Sequence, residues 1–246
     1  VDEAVAEVIL RMEAGLQRLG EHDARRFFHQ TYLRTTIAVG EEIERGGFLD
    51  PQWLSRWDVA FANLYLDALD ADLSGGPLPG PWRVAFGVAH TQPQLAPLRH
   101  VLLGMNAHIN YDLPQSLIAV ISPAEFGQPD VVAARERDHT HVDTVLLNRV
   151  GAEDAIRRSD GRPTLTDRLL GPLNRAATRK LLRESRAKVW RNTHVLDRAR
   201  RESADTYATV LAQLDNASTA KLLDLTAPGQ VLLRLARKGF GVLLPD

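Results

Sequence analysis

Apolar residues in this chain return every three or four positions, segment after segment, and nowhere alternate with a period of two over useful length. Such spacing turns one stripe of each segment inward on a helix and leaves no strands from which to build a sheet. Val5, Val8, Ile9, Met12, Leu16 and Leu19 mark a first helix that stops at Gly20. Asp23, a good N-cap, opens a second through Phe27, Tyr32, Ile37 and Ile43 to the double-glycine stop Gly46–Gly47. Asp50–Pro51 starts a third, with Trp53, Leu54, Trp57, Phe61, Leu64, Tyr65 and Leu69, which ends before the loop Ser74–Pro81. Trp82–His90 reads as a short helix, and Ser122–Pro123 and Pro129–Asp130 as two further starts. The helix after Asp130 runs toward Gly151, which marks a break or a tight packing point. A long charged helix from Pro172 to about Ser203, another over Ala204–Leu214, and one after Pro228–Gly229 complete the pattern.

The expected fold is therefore all-α: one multi-helix bundle over residues 1–246 with a polar pocket between helices. Its loops are expected at 74–81 and 158–166, neither long enough for an interdomain linker.

One stretch stands apart, Leu98–Pro114, LRHVLLGMNAHINYDLP. Leu98, Val101, Leu102, Met105 and Ile109 form its apolar stripe, and the steps Val101, Met105, His108, Asp112 continue that stripe into polar residues. His108 and Asp112 are four apart and share a face. An imidazole and a carboxylate turned inward must find partners, because unpaired buried polar groups are costly. Asn106 and Asn110 add further polarity, His100 falls off the stripe toward solvent, and Pro114 is expected to end the helix nearby.

A second polar cluster, Asp138–Asp143 (DHTHVD), repeats the spacing in His139 and Asp143 and adds Asp138 and His141 three apart. Val142, Val145 and Leu146 mark the buried side, so either pair lies at its edge. Ligands four apart on a helix project together, and two such helices side by side can hold a cation while leaving a position for water. His108, Asp112, Asp138 and His141 are the candidate ligands for a divalent zinc, manganese or iron, whose bound water would be a nucleophile. Without a metal, His108 oriented by Asp112 is a general acid–base. With Asn106 orienting them, His108, Asp112, Asp138 and His141 are then the candidate catalytic residues. The competing reading is a network that only ties helices together. Asp58, Asp67, Asp70 and Asp72 are expected mostly in water, and Tyr32, Thr35 and Thr36 as core residues within reach of a pocket.

The chain has no cysteine, which excludes disulfides, thiolate metal sites and a Cys nucleophile. A net charge of −1 gives no electrostatic case for nucleic acid. The basic run Arg175–Arg201 is broken by Glu184 and Asp197 and reads as a solvated face. No apolar run reaches membrane-spanning length, and the acidic amphipathic amino-terminal stretch lacks the basic start of a signal peptide, so a cytoplasmic location and a small-molecule substrate are expected.

The run LLGMNAHINYDLP (Leu102–Pro114), with FANLYLDAL (Phe61–Leu69) and PWRVAF (Pro81–Phe86), resembles the bacterial domain-of-unknown-function 5995 family over most of the chain. NAHINYDLP (Asn106–Pro114) is its most specific part. That resemblance implies a helical protein of this size and carries over no catalytic residue. A looser similarity, to helical zinc-dependent phospholipase C-like proteins, implies phosphoester hydrolysis. The chain departs from that group in lacking an amino-terminal tryptophan ligand and enough placed histidines for a trinuclear centre. Three functions follow as expectations: a hydrolase using metal-activated water, a metal-free isomerase, cyclase or lyase of secondary metabolism, and a non-catalytic binding or scaffold protein.

Overall fold

The structure, a computed structural model, describes residues 2–159, 172–227, 229 and 231–245, and of residues 146–159, 172–182, 231–233 and 236 the backbone alone. These residues form an all-α domain with no strand among them. The helices are α1 Glu3–Arg18, α2 Arg25–Glu44, α3 Pro51–Ser74, α4 Gly80–Thr91, α5 Pro97–Ala107, α6 Leu113–Val120, α7 Pro123–Phe126, α8 Pro129–Ser159, α9 Pro172–Glu202, α10 Ala204–Thr226 and α11 Val231–Lys238. Starts follow local chemistry. Asp50 caps α3 by accepting from Trp53 N–H at 2.9 Å with Pro51 behind it, and Ser122 and Glu125 close a reciprocal capping box on α7. Gly75, at φ 71°, ends α3 in the left-handed region that glycine adopts without a Cβ penalty.

α5 and α6 are one continuous rod joined by a π-helical turn, His108–Asp112. α2 and α4 pack against α5, α3 and α9 against α6, and α10 against both α5 and the turn. The rod is thus enclosed, which explains why His100 is buried (5 % exposed) and stacked on Phe27 rather than in solvent. Enclosure is tightest at Gly104, where a Cβ would lie 2.3 Å from Phe28 Cγ.

Pro114 does not end the helix. In an α-helix its ring would press on the Asn110 carbonyl and leave that carbonyl without a donor. Here Leu113 N–H donates to the His108 carbonyl, an i→i+5 bond, and this one-residue widening carries the chain past the proline. α8 runs through Gly151 without a break, and α10 extends past Leu214 to Thr226. The connection expected at 158–166 falls, from residue 160 onward, outside the described residues.

After α11 the chain becomes extended, and Phe240, Val242 and Leu244 are buried at alternate positions. Asparagines read its backbone. Asn106 and Asn110 each donate to the Phe240 carbonyl at 3.0 Å, and Asn110 accepts from Val242 N–H at 3.1 Å. Asn192 donates to the Val242 carbonyl at 3.1 Å and accepts from Leu244 N–H at 2.9 Å.

Candidate active site

The π turn places His108 and Asp112 side by side at the centre of the fold. His108 Nδ1 lies 2.8 Å from Asp112 Oδ2, and the same oxygen accepts the Trp82 indole N–H at 2.9 Å. The imidazole stacks on Phe61, with centroids 3.6 Å apart and planes 5° from parallel, and meets the Tyr32 ring edge-on at 4.4 Å. Position and ring plane are therefore fixed by neighbours, and Nδ1 is committed to Asp112. Burial lowers the His108 pKa well below its ordinary value and raises that of Asp112 well above its own, the Trp82 bond opposing the second shift. His108 Nε2 is buried and has no partner in the protein.

His108 belongs to the wall of a cavity of about 140 Å³. An empty site of this size is large enough for a benzene-sized molecule. Its walls are aromatic and aliphatic: Phe28, Tyr32, Trp57, Phe61, Val39, Leu113 and Val142, with Met105 and Ile109 toward the half-exposed side. Four other residues of its wall carry a buried polar atom that has no partner in the protein: Asp58 Oδ2, the Tyr32 hydroxyl, Ser185 Oγ and Arg186 Nη1. Burial pushes Asp58 from an ordinary 3.8 up to about 7. The Tyr32 hydroxyl is raised well above its usual range, first by burial and then by the charges of Asp58 and Asp112, so it stays protonated and is a donor without an acceptor. Arg186 spends Nε and Nη2 on Asp143, an ion pair at the cavity edge. His139 accepts the Trp190 indole N–H on Nδ1 at 3.0 Å and meets Trp57 edge-on. Burial, and then the Arg186 charge, keep the His139 ring neutral, so its proton sits on Nε2.

The residues singled out from the sequence part company here. His108 and Asp112 meet at the cavity. Asp138 is buried elsewhere, both oxygens occupied by the backbone N–H groups of Leu49 and Asp50 at 2.7 and 2.8 Å, where it anchors the turn into α3. His141 is half-exposed, 3.2 Å from Glu42 and edge-on to Phe48. Asn106 serves the extended segment and does not orient the pair. The proposed ligand quartet His108, Asp112, Asp138 and His141 is thus not brought together, because the 138/141 edge of α8 turns to the loop before α3. The 139/143 edge turns to the cavity instead. Among the described residues no group of three or more His, Asp or Glu is arranged to hold a metal ion.

Asp58, expected mostly in water, and Ser185 and Arg186, within the run expected as a solvated face, line the cavity instead. Two of the three carry a signal in the sequence. Asp58 lies on the stripe Leu54, Asp58, Phe61, Tyr65, and Ser185 leads the stripe Ser185, Val189, Asn192, Leu196. Asp67 and Asp70 pair with Arg11 on the surface, and Asp72 with Arg25. Thr35, at the cavity, and Thr36 both donate to carbonyls four residues back.

A model of a family of unknown function, DUF5995, matches residues 5–228. The chain belongs to the DUF5995 family. Comparison with curated proteins and with solved structures gave no match. In this DUF5995 chain the matched span includes every cavity-lining residue, from Phe28 to Arg186, and stops before the extended segment 240–245.

Proposed function

We propose that this DUF5995 protein is an enzyme that moves a proton on a small, largely apolar molecule held in the cavity, with His108 and Asp112 as its acid–base pair. The reaction classes that fit are isomerisation, cyclisation and elimination. One observation carries the reading: His108, a residue of the cavity wall, is bonded on one nitrogen to a buried carboxyl group while its other nitrogen has no partner in the protein. A network kept for stability would close its hydrogen bonds, since each orphaned buried group costs about 1–3 kcal/mol. This one leaves Nε2, Asp58 Oδ2 and the Tyr32 hydroxyl without partners on three residues that line one cavity.

The pair has two working forms. With one negative charge, Asp112 accepts the Nδ1 proton and Nε2 presents a lone pair, a base. With one proton more, Nε2 carries N–H and is an acid, whether that extra proton resides formally on the imidazole or on Asp112. Asp58, at about 7, exchanges its proton near neutrality and can return one at a second position on the substrate. Positioned groups of this kind contribute on the order of 10²–10⁴ in rate. A divalent metal and hydrolysis would need the dispersed quartet to gather, so the proposal rests on the pair's own chemistry.

The test is proton exchange. The protein is incubated in D₂O with a panel of small cyclic ketones and unsaturated alcohols, and deuterium uptake is followed by NMR beside His108→Asn. Uptake by the wild type that drops in the variant is the expected result. Uptake no faster than the variant's for every panel member overturns the proposal.

A further inference from the structure

The acid–base proposal leaves open what the cavity accepts, and its α9 wall bears on that. Ser185 is 1 % exposed, and its Oγ has no partner in the protein. The next residue, Arg186, is held by Asp143 through Nε and Nη2, while its third nitrogen, Nη1, is buried and unpartnered. A guanidinium N–H only donates. Nη1 therefore lacks an acceptor, and the Ser185 and Tyr32 hydroxyls, on residues of the same cavity wall, are two further donors.

Charge narrows the class. The Arg186 charge is already matched by Asp143, and the remaining ionisable groups on the cavity wall are the acid Asp58, the phenol Tyr32, which stays neutral, and the imidazoles His108 and His139. Burial keeps both imidazoles neutral. An anion entering this space would lose its hydration with no uncompensated positive charge to receive it. A cation would have no acceptor to offer the three donors. What remains is a neutral molecule with an oxygen able to take two hydrogen bonds and an apolar body for the aromatic walls.

We propose that the cavity binds a neutral carbonyl compound of roughly benzene size, its oxygen held by Arg186 Nη1 and Ser185 Oγ and its ring or short chain packed between Phe28, Trp57 and Phe61. The proposal deepens the acid–base reading and rests on it for the chemistry. With the oxygen so held and Asp112 ionised and accepting the Nδ1 proton, an α-proton passes to the His108 Nε2 lone pair, the C–H electron pair becomes a C=C bond, and the C=O π pair moves onto the oxygen. Return of a proton to carbon reverses that flow, so no oxidant or second reactant is consumed.

Three probes of similar shape test it on the intact chain: cyclohexanone, cyclohexanecarboxylate and methylcyclohexane, with binding read by saturation-transfer NMR and by shift of the thermal midpoint. Cyclohexanone is expected to bind more tightly than either of the others. Ser185→Ala and Arg186→Lys, the latter keeping a cation beside Asp143 but removing the fork, should each weaken cyclohexanone about tenfold and leave methylcyclohexane unchanged. Preference for the carboxylate, equal binding of the hydrocarbon, or no cyclohexanone binding at all overturns the carbonyl assignment. Cyclohexanone that binds as expected but takes up no deuterium from D₂O supports the ligand class and counts against the acid–base reading, so the two fail separately.

Discussion

Asp58 separates a site from a scaffold most sharply. Its carboxyl group is wholly enclosed, one oxygen has no partner, and its pKa is pushed up to about 7 by burial alone. The native state therefore binds this proton more tightly than the unfolded chain does. Between pH 3.8 and about 7 the unfolded chain has released the proton while the native state still holds it, so stability falls as pH rises across that window. Below the window the charge costs nothing, and above it the full cost applies. A rise from 3.8 to about 7 corresponds to roughly 4 kcal/mol, at 1.36 kcal/mol per unit. Asp58→Asn keeps the shape and removes the ionisation. The variant should then be more stable than wild type by about 2 kcal/mol at pH 5 and about 4 kcal/mol at pH 8. Urea unfolding followed by circular dichroism at the two pH values measures both differences. What matters is the rise of roughly 2–3 kcal/mol between them, because amide packing effects do not change with pH.

The same variant should lose deuterium exchange into a bound ketone. Stability gained and activity lost together mark a group held in an unfavourable place for function. A variant less stable than wild type at both pH values, with no pH-dependent difference, would show that Asp58 is already satisfied in the folded protein and would refute the reasoning.

Other substitutions probe the frame around the site. Asn110→Ala removes the acceptor of Val242 N–H and one donor to Phe240, and should cost about 1–3 kcal/mol in urea unfolding, with heightened proteolysis of the extended segment. Asp138→Ala strands the Leu49 and Asp50 N–H groups and should cost about 2–4 kcal/mol while cyclohexanone binding persists. His141→Ala should stay within about 0.5 kcal/mol of wild type by the same assay. Gly104→Ala drives a methyl group into the Phe28 ring beside the cavity, and a loss of about 1–3 kcal/mol accompanied by weaker ligand binding is expected from thermal and NMR titrations.

Helical period was enough to place nearly every element, because three- and four-residue spacing and cap residues such as Asp50 and Ser122 act locally. It also turned His108 and Asp112 inward, since the stripe that carries them is continuous with Val101 and Met105. What local period cannot encode is whether a buried polar group is already satisfied. Asp138 and Asp58 look alike along the chain: each is an acid on a helix beside an aromatic or imidazole neighbour, and each is buried. Asp138 is answered by two backbone amides nearly ninety positions away, whereas Asp58 Oδ2 is answered by nothing in the protein. The same holds for the amides beside the acid–base pair, where Asn106 and Asn110 are claimed by Phe240 and Val242 across more than a hundred residues. The widened turn at 108–112 was hidden for a related reason, because Pro114 marks a helix end and a π turn equally well until the packing around it chooses. A residue type at a given spacing therefore nominates a group, and only the balance of donors and acceptors in three dimensions separates one that holds the fold from one that waits for a ligand.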